Sequence, residues 1–162
     1  MTYLDQLSLT LGRAVAWLTL VMGAVTLGLV VARYGFNVNA IALQESVIYM
    51  HGLVFLLGSA MTLHQQGHVR VDVLYRRFNA RQQAWVDAVG GIVLLLPFCL
   101  FMLFISINFV TTSWQNLEGS TEPGGIPAVF LLKTLIPVSS GLLGLQAISE
   151  VGRCTARLMQ PD

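Results

Sequence analysis

Uncharged apolar runs, separated by short polar segments, set the pattern of the chain. Residues 14–32 are 19 consecutive residues without charge. Residues 46–69 carry only histidines as ionisable groups and stay apolar as far as Leu63, and residues 88–117 carry no charge over 30 positions. Because about 20 apolar residues in an α-helix cross the hydrocarbon core of a membrane, these runs predict three membrane-spanning helices.

A fourth run is shorter. Residues 134–149 contain no charge, but 16 residues cover only about 24 Å as an α-helix, less than the hydrocarbon thickness. This helix is therefore expected to begin near Ile126 and to carry Lys133 close to one membrane face, where its ammonium reaches the headgroups. We predict an all-α integral membrane protein, a single domain over residues 1–162 with helices at about 14–33, 45–66, 87–113 and 126–151.

Composition agrees with this fold class. Of the 162 residues, 55% are hydrophobic and only 10% are charged, which is too few charges for the surface of a water-soluble domain. The net charge of +1 supplies no basic field to attract nucleic acid, so nucleic-acid binding is excluded. Cys99 and Cys154 are too far apart in the expected topology for a disulfide and are expected to be free thiols.

The basic residues predict the orientation in the membrane. With both termini in the cytoplasm, the outside segments hold Arg33 and Lys133, two basic residues against seven inside. Basic residues concentrate on the cytoplasmic side of membrane proteins. The seven inside residues are Arg13, Arg70, Arg76, Arg77, Arg81, Arg153 and Arg157.

The connection at residues 67–86 has amphipathic periodicity. An apolar face recurs at helical spacing and consists of Val71, Leu74, Tyr75, Phe78 and Trp85. Arg70, Arg77 and Arg81 lie along one side of this face, and Arg76 and Asp72 lie elsewhere. One interpretation is a helix lying in the interface, with Arg70, Arg76, Arg77 and Arg81 reaching lipid phosphates. The other is an extension of helices 2 and 3 that packs as a hairpin. The pattern indicates one buried face and leaves both interpretations open.

Candidate chemistry within the predicted spans is sparse. An axial haem pair needs histidines on facing helices, but His51, His64 and His68 all belong to the second segment. His51 is expected to be an interior, hydrogen-bonded residue. Glu45, at the outer start of helix 2, is expected to complement the helix N-terminus or to pair with Arg33 or Lys133. Neither a phosphate-binding glycine loop nor a nucleophile–base pair is recognisable, so we expect no enzyme and no cofactor.

Small and amide side chains predict helix packing. Ala24 and Gly28 form a small-xxx-small pair in helix 1, and Ser140 and Gly144 form another in helix 4. Asn108 and Gln146 are candidates for hydrogen bonds between helices.

The order of several short motifs resembles the small membrane subunit, the DctQ-like or Q component, of tripartite ATP-independent periplasmic (TRAP) transporters. The most specific element is the segment from His68 to Asp72, and the resemblance covers essentially the whole chain. The other elements are Arg33-Tyr34, Phe36-Asn37, Glu45, Leu57-Gly58-Ser59-Ala60, Trp114, Glu118-Gly119-Ser120, Pro127, Lys133, Ile136-Pro137 and Gln146.

The resemblance implies a bacterial inner-membrane system for organic acids such as dicarboxylates or sialic acids. A large membrane subunit would carry substrate with sodium, and a periplasmic binding protein would supply it. The small subunit would have four spans with both termini inside, would pack against the scaffold region of the large subunit and hold it in the membrane, and would be required for transport without being known to bind substrate. An alternative from the residues alone is a haem-bearing or haem-free membrane anchor subunit of a respiratory enzyme.

Two expectations concern individual residues. The acidic outer loop with Glu118 and Glu122 is expected to help dock the binding protein. Lys133 is expected to pair with Glu45 or with a lipid phosphate. Membrane lipids are the third expected partner, held through the arginines of the cytoplasmic connection.

Overall fold

Four long helices account for most of the protein. The computed structural model describes residues 3–65, 67, 75 and 77–159, and within these it is entirely helical apart from connections. We label the helices α1 (Tyr3–Phe36), α2 (Ile41–His64), α3 (Ala80–Gln115) and α4 (Val129–Met159). Each is long and apolar enough to cross a membrane, which confirms the predicted all-α class with four candidate spans.

The helices extend past the uncharged runs that predicted them. α1 begins at Tyr3 and α4 continues to Met159, because a helix can run on through polar residues after it has left lipid. α4 begins at Val129 rather than near Ile126, since Pro127 and its neighbours belong to the preceding loop. The uncharged criterion therefore finds the part of a helix suited to lipid and not the helix ends.

The start of α3 is fixed by a capping box. The Gln82 backbone N–H donates to the Asn79 side chain over 2.8 Å, and the Asn79 N–H donates to the Gln82 side chain over 3.0 Å. Farther along, Gly91–Leu95 forms a π-helical turn just before Pro97. Proline has no N–H to donate, and a wider turn accommodates the lost bond.

Helix packing follows the spatial order α1, α2, α4, α3. α4 contacts the other three helices, α1 packs mainly on α2, and α3 packs on α4. Small residues mark the close approaches: a side chain on Gly12 would meet Met61, and one on Gly52 would lie 3.0 Å from Leu132. Gly144 of the predicted small-xxx-small pair faces Cys99 of α3, whereas Gly28 of the α1 pair has nothing within 4 Å.

α1 presents one narrow seam to the rest of the protein. The less exposed positions include a series at the heptad spacing of a coiled coil, which is Leu4, Ser8, Leu11, Val15, Leu18, Met22, Val25, Leu29 and Ala32. Asp5, Leu9 and Gly12 join this seam near the start of α1. Large side chains between them point outward: Trp17 is 70% exposed, Leu20 65% and Leu27 66%. An apolar surface this long requires lipid or another membrane protein as its surroundings.

The amphipathic connection is seen only in part. Residues 68–74 and 76 lie outside the described residues, so the His68–Asp72 segment and the positions of Arg70 and Arg76 are not described. Residues 80–90 are the first turns of α3, and their buried positions are Ala84 and Ala88. Phe78 and Trp85 are exposed in this chain, so these two members of the expected apolar face are not buried against it.

Candidate functional site

Polar side chains bridge the helices at both ends of the bundle. We call the end where α1 begins and α4 ends the terminal end, and the end with the α1–α2 and α3–α4 connections the loop end. The terminal cluster consists of Asp5, Ser8, His64, Gln146, Ser149, Glu150 and Arg153. The loop cluster consists of Glu45, Ser113, Glu118, Ser120 and Lys133, together with the loop backbone from Ser120 to Ile126.

Asp5 is the centre of the terminal cluster. Asp5 is 0% exposed, and its two carboxylate oxygens accept hydrogen bonds from three α4 side chains. Arg153 Nη1 donates to Oδ2 over 2.7 Å, while Gln146 Nε2 and Ser149 Oγ each donate to Oδ1 over 3.1 Å. A buried carboxylate needs such partners, because desolvation without them costs several kcal/mol.

Gln146 and His64 complete the terminal cluster, which includes residues of α1, α2 and α4. Gln146, also 0% exposed, accepts a hydrogen bond from Ser8 Oγ over 2.7 Å, so its predicted hydrogen bonding between helices is confirmed. His64 Nδ1 lies 3.1 Å from Arg153 Nη2 and 3.4 Å from Asp5 Oδ1. Arg153 also bonds to Glu150 on its own helix. The cluster thus ties the first turns of α1 to the last turns of α2 and α4.

Sequence reasoning missed most of the terminal cluster. Asp5 precedes the first apolar run, so the hydropathy pattern does not single it out. Its one available signal is periodicity: Ser8 continues the α1 seam, and Asp5 lies one turn before Ser8 on that face. Arg153 was counted only as a basic residue of the inside segment.

Glu45 fixes the α3–α4 loop at the other end. Its Oε2 accepts the Ile126 backbone N–H over 2.6 Å, and its Oε1 accepts from Ser120 Oγ. Gly125 passes so close to Ser120 and Glu45 that a side chain there would collide with both. Glu45 is the fifth residue of α2, past its first turn, and its partners are in the loop rather than the α2 N-terminus, Arg33 or Lys133.

The loop satisfies much of its own backbone. The Ser120 N–H donates to the Ile126 carbonyl over 3.1 Å, the Gly125 N–H donates to the Glu122 carbonyl over 3.0 Å, and the Glu122 N–H donates to Ser120 Oγ over 3.1 Å. Positive φ angles occur at Leu117 and Gly124, where the chain reverses. Because backbone groups near lipid must be bonded internally, this loop is suited to a position at a membrane face.

Glu118 and Lys133 form the ion pair of the loop cluster. Lys133 Nζ donates to Glu118 Oε2 over 2.5 Å, and Ser113 Oγ donates to the same oxygen over 2.7 Å. The hydrogen bond from Lys133, followed by that from Ser113, holds the pKa of Glu118 below its usual value. Lys133 Nζ also lies 4.1 Å from the centre of the Phe109 ring, a cation–π distance.

Trp114 joins α3 to α4 beside this ion pair. Its indole Nε1 donates to Thr134 Oγ1 over 2.9 Å, and its ring meets Phe130 edge-on with centroids 4.6 Å apart. The residue is 44% exposed, which leaves part of the ring to its surroundings. Such a half-exposed tryptophan with a bonded N–H is typical of a membrane interface.

These contacts correct the expected pairing of Lys133. Its partner is Glu118, not Glu45, because the α3–α4 loop places Glu118 over the start of α4 while Glu45 is occupied by the loop backbone. Glu118 is thus paired with another residue of this chain, while 41% of its side chain is exposed. Glu122, at the loop tip, is exposed, as are Arg77 and Arg81 at the terminal end.

The histidines give no cofactor site in the described part of the chain. His51 is exposed and stacks on Phe55 with ring centroids 6.3 Å apart, so the expectation that it is an interior residue is wrong. His64 belongs to the terminal cluster on the same helix. Among the described residues no group of three or more metal-ligating side chains comes together, and Cys99 and Cys154 are buried free thiols.

Comparison with known proteins gives one family. A family model described as tripartite ATP-independent periplasmic transporters, DctQ component, matches residues 21–157 of the 162-residue chain. No curated protein and no solved structure matches the chain. The matched range covers the second half of α1, all of α2, α3 and the α3–α4 loop, and nearly all of α4, so the resemblance in the short motifs extends through both helical hairpins.

Proposed function

The chain belongs to the DctQ-component family of TRAP transporters, and on that premise we propose that it holds the large transport subunit in the bacterial inner membrane. Membership makes it the small subunit of a transporter, not an enzyme. Members of this family work with a large membrane subunit and a periplasmic binding protein. The match over residues 21–157, together with four membrane-length helices, is the observation that carries the proposal.

The arrangement of polar groups supports a scaffold rather than a carrier. Sodium or carboxylate transport needs charged or oxygen-rich sites at depth, open to the substrate. In the described residues, the ionisable clusters lie at the helix ends and are occupied with one another. Between them the helices pack through apolar and small residues such as Gly52, Ala60 and Gly144. Sodium coupling and organic-acid binding are therefore assigned to the large subunit.

The outer surfaces supply the contact with that subunit and with lipid. α1 and α3 carry many of the exposed apolar side chains, among them Leu27 on one helix and Phe104 on the other, 66% and 67% exposed. In our proposal one such face packs on the large subunit and the rest meets acyl chains. Arg70, Arg76, Arg77 and Arg81 lie on the cytoplasmic side, with both termini, and contact lipid phosphates.

The outer loop is proposed to contribute to docking of the binding protein. Since Glu118 is paired with Lys133, the docking contribution falls mainly on Glu122 at the exposed loop tip. Glu45 and the Glu118–Lys133 pair keep the loop in shape from beneath. Docking thus depends on one presented carboxylate and on the rigidity of its loop.

Reconstitution tests the proposed function. Proteoliposomes would contain this chain, the large subunit of the same transporter, or both, with the binding protein and a sodium gradient outside. We expect uptake of an organic acid only when both subunits are present, and co-purification of the two from native membranes. Uptake with this chain alone, or full uptake without it, contradicts the proposal. A Soret band in the purified chain would favour the respiratory-anchor alternative.

The docking part has a matched pair of variants. Glu122→Gln should raise the binding-protein concentration needed for half-maximal uptake, because the presented charge is lost. Thr121→Ala, at the neighbouring exposed position, is the control. If Glu122→Gln leaves that concentration unchanged, Glu122 has no part in docking, while the scaffold proposal is unaffected.

A further inference from the structure

The positions of the four uncharged runs along the bundle axis can be compared, because contacts between helices relate residues of each helix to residues of its neighbours. We call this position height, and it increases from the terminal end to the loop end. Gly12 of α1 faces Met61 of α2, and Asp5 of α1 bonds to Ser149 of α4. Gly144 of α4 faces Cys99 of α3. Along each helix, height changes by about 1.5 Å per residue.

The runs of α3 and α4 lie at the same height. The uncharged part of α3, residues 88–115, is centred between residues 101 and 102, and the run of α4, residues 134–149, is centred between 141 and 142. The neighbouring contact between Leu103 and Gly141 brings these two centres side by side. One flat layer of hydrocarbon can therefore cover both helices of this hairpin.

The run of α1 lies higher, toward the loop end. Its centre is Gly23, whereas the hydrogen bonds of Asp5 with Ser149 and of Ser8 with Gln146 place the centre of the α4 run beside Gly12 and Arg13. The difference is about ten residues, or roughly 15 Å. The run of α2, residues 46–63, has an intermediate height by the Gly12–Met61 contact, about 7 Å below that of α1.

Exposed side chains require lipid at both heights. Leu20 and Leu27 on α1 are 65% and 66% exposed, and Val93 and Leu94 on α3 are 59% and 71% exposed. Val93 and Leu94 stand beside Ser149, and hence at the height of Asp5, well below the α1 run. A layer perpendicular to the helices that covered the α1 run would leave this part of α3 in water.

We propose that the bilayer crosses this bundle obliquely, so that its hydrocarbon-contact surface is a slanted band, higher on α1 and lower on α3 and α4. The displacement accumulates from α1 through α2 to α4, and α3 shares the height of α4. About 15 Å over these two interhelical distances of roughly 9 Å corresponds to a tilt of about 40°. Transmembrane helices tilt by roughly 0–40°, so the value lies at the upper end of the range for a single helix and is here shared by the whole bundle.

The slant also accounts for the position of Lys133. On the common scale Lys133 stands beside Val21 and Met22, near the middle of the α1 run. In an upright bundle its ion pair with Glu118 would lie at mid-depth, where a charge is costly. In a slanted band the same height is the upper border on α4, and the pair lies at the membrane face.

Two matched pairs of single-cysteine variants test the slant. Gln6→Cys and Leu94→Cys lie at nearly one height at the terminal end, and Thr26→Cys and Gln115→Cys lie at one height near the loop end. All four positions are exposed in the chain. The background is Cys99→Ala with Cys154→Ala, and the full chain is reconstituted in liposomes and labelled from both sides with a water-soluble maleimide.

An oblique bilayer predicts opposite results within each pair. Gln6→Cys and Gln115→Cys should label readily, whereas Leu94→Cys and Thr26→Cys should label at least about tenfold more slowly, because the thiolate does not form in hydrocarbon. Equal labelling within either pair overturns the proposal. As a check that needs no substitution, a lipid-soluble photoactivated carbene should mark residues 20–31 of α1 and residues 89–105 of α3 in the unmodified protein. Absence of label from residues 89–94 also overturns it.

Discussion

The terminal cluster and the loop cluster both join the α1–α2 hairpin to the α3–α4 hairpin, but they do so with different degrees of burial. In the terminal cluster side chains bind side chains, around a carboxylate that is 0% exposed. In the loop cluster Glu45 binds a loop backbone, and the Glu118 side chain is 41% exposed. Asp5, at the centre of the first cluster, has no access to substitute partners, whereas water or headgroups can replace a lost partner of Glu118 in the second.

The difference teaches which contacts hold the bundle together. A buried ion pair contributes little net stability when intact, but removing one member leaves the other buried without a partner. An exposed ion pair contributes little to the free energy of unfolding, and removing one member costs correspondingly little. We therefore expect the terminal cluster to determine whether the helices assemble, and the loop cluster to determine the shape of one loop.

The largest effect is expected for Asp5→Ala. It leaves Arg153, Gln146 and Ser149 without their common acceptor, and the free energy of unfolding should fall by about 3–5 kcal/mol. Thermal unfolding of the purified chain in mild detergent measures it, and Gln6→Ala at the adjacent exposed position is the control. If the free energy of unfolding falls no more for Asp5→Ala than for the control, the terminal cluster does not determine whether the helices assemble.

A smaller effect is expected for Glu45→Ala. The Ile126 N–H and the Ser120 hydroxyl lose a charged acceptor, so the loop should loosen while the helices remain assembled. Limited proteolysis should cut faster between Ser120 and Ile126, with a melting temperature well above that of Asp5→Ala. Glu122→Ala, on the same loop but at its exposed tip, should leave the cutting rate unchanged. Equal proteolysis of Glu45→Ala and wild type would show that Glu45 does not hold the loop.

Acid should weaken the Glu118–Lys133 pair. The pKa of Glu118 is lowered by hydrogen bonds from Lys133 and Ser113, so its ionised form is favoured in the folded state. The stabilisation is complete above the unfolded pKa of about 4.3 and is lost as the pH falls through the lower folded value. The melting temperature of wild type should exceed that of Glu118→Gln at pH 7, and the gap should close below about pH 4. A gap that widens in acid contradicts the assignment.

The smallest effect is expected for Thr134→Val. This change removes the acceptor of the Trp114 indole and should cost about 1 kcal/mol, the typical net value of one hydrogen bond. Thr111→Val, whose hydroxyl bonds only to its own helix, is the matched control. Tryptophan emission should shift in the first variant and not in the second. If the two variants behave alike, the hydrogen bond from Trp114 does not stabilise the loop end.

The four helices could be predicted from the sequence because lipid imposes a rule on consecutive residues. An uncharged run of the right length is a local signal, and α1, α2 and α3 were found from it directly. The helix ends could not be predicted in this way, since Tyr3 and Met159 lie in polar stretches of sequence where the hydropathy marks no boundary. For α4, the later start at Val129 depends on the loop that Glu45 holds.

The polar contacts could be predicted only in part. Glu45, Glu118 and Lys133 stood out as charges near the ends of apolar runs, yet their pairing depends on how the α3–α4 loop folds back. The bond between Asp5 and Arg153 joins residues 148 positions apart, and no pattern in either neighbourhood points to the other. Contacts of this range follow from the packing order of the helices, which a single sequence does not reveal.

That long-range bond has a consequence for how the chain is made. Asp5 leaves the ribosome 144 residues before Ser149 and 148 residues before Arg153, its partners on α4. At about 5–20 residues per second, α1 waits on the order of ten seconds before its carboxylate can be matched. The α1–α2 hairpin must therefore remain in the membrane while Asp5 still lacks its partners on α4. A chain that stops before Gln146 would insert its helices but could not form the terminal cluster that joins them.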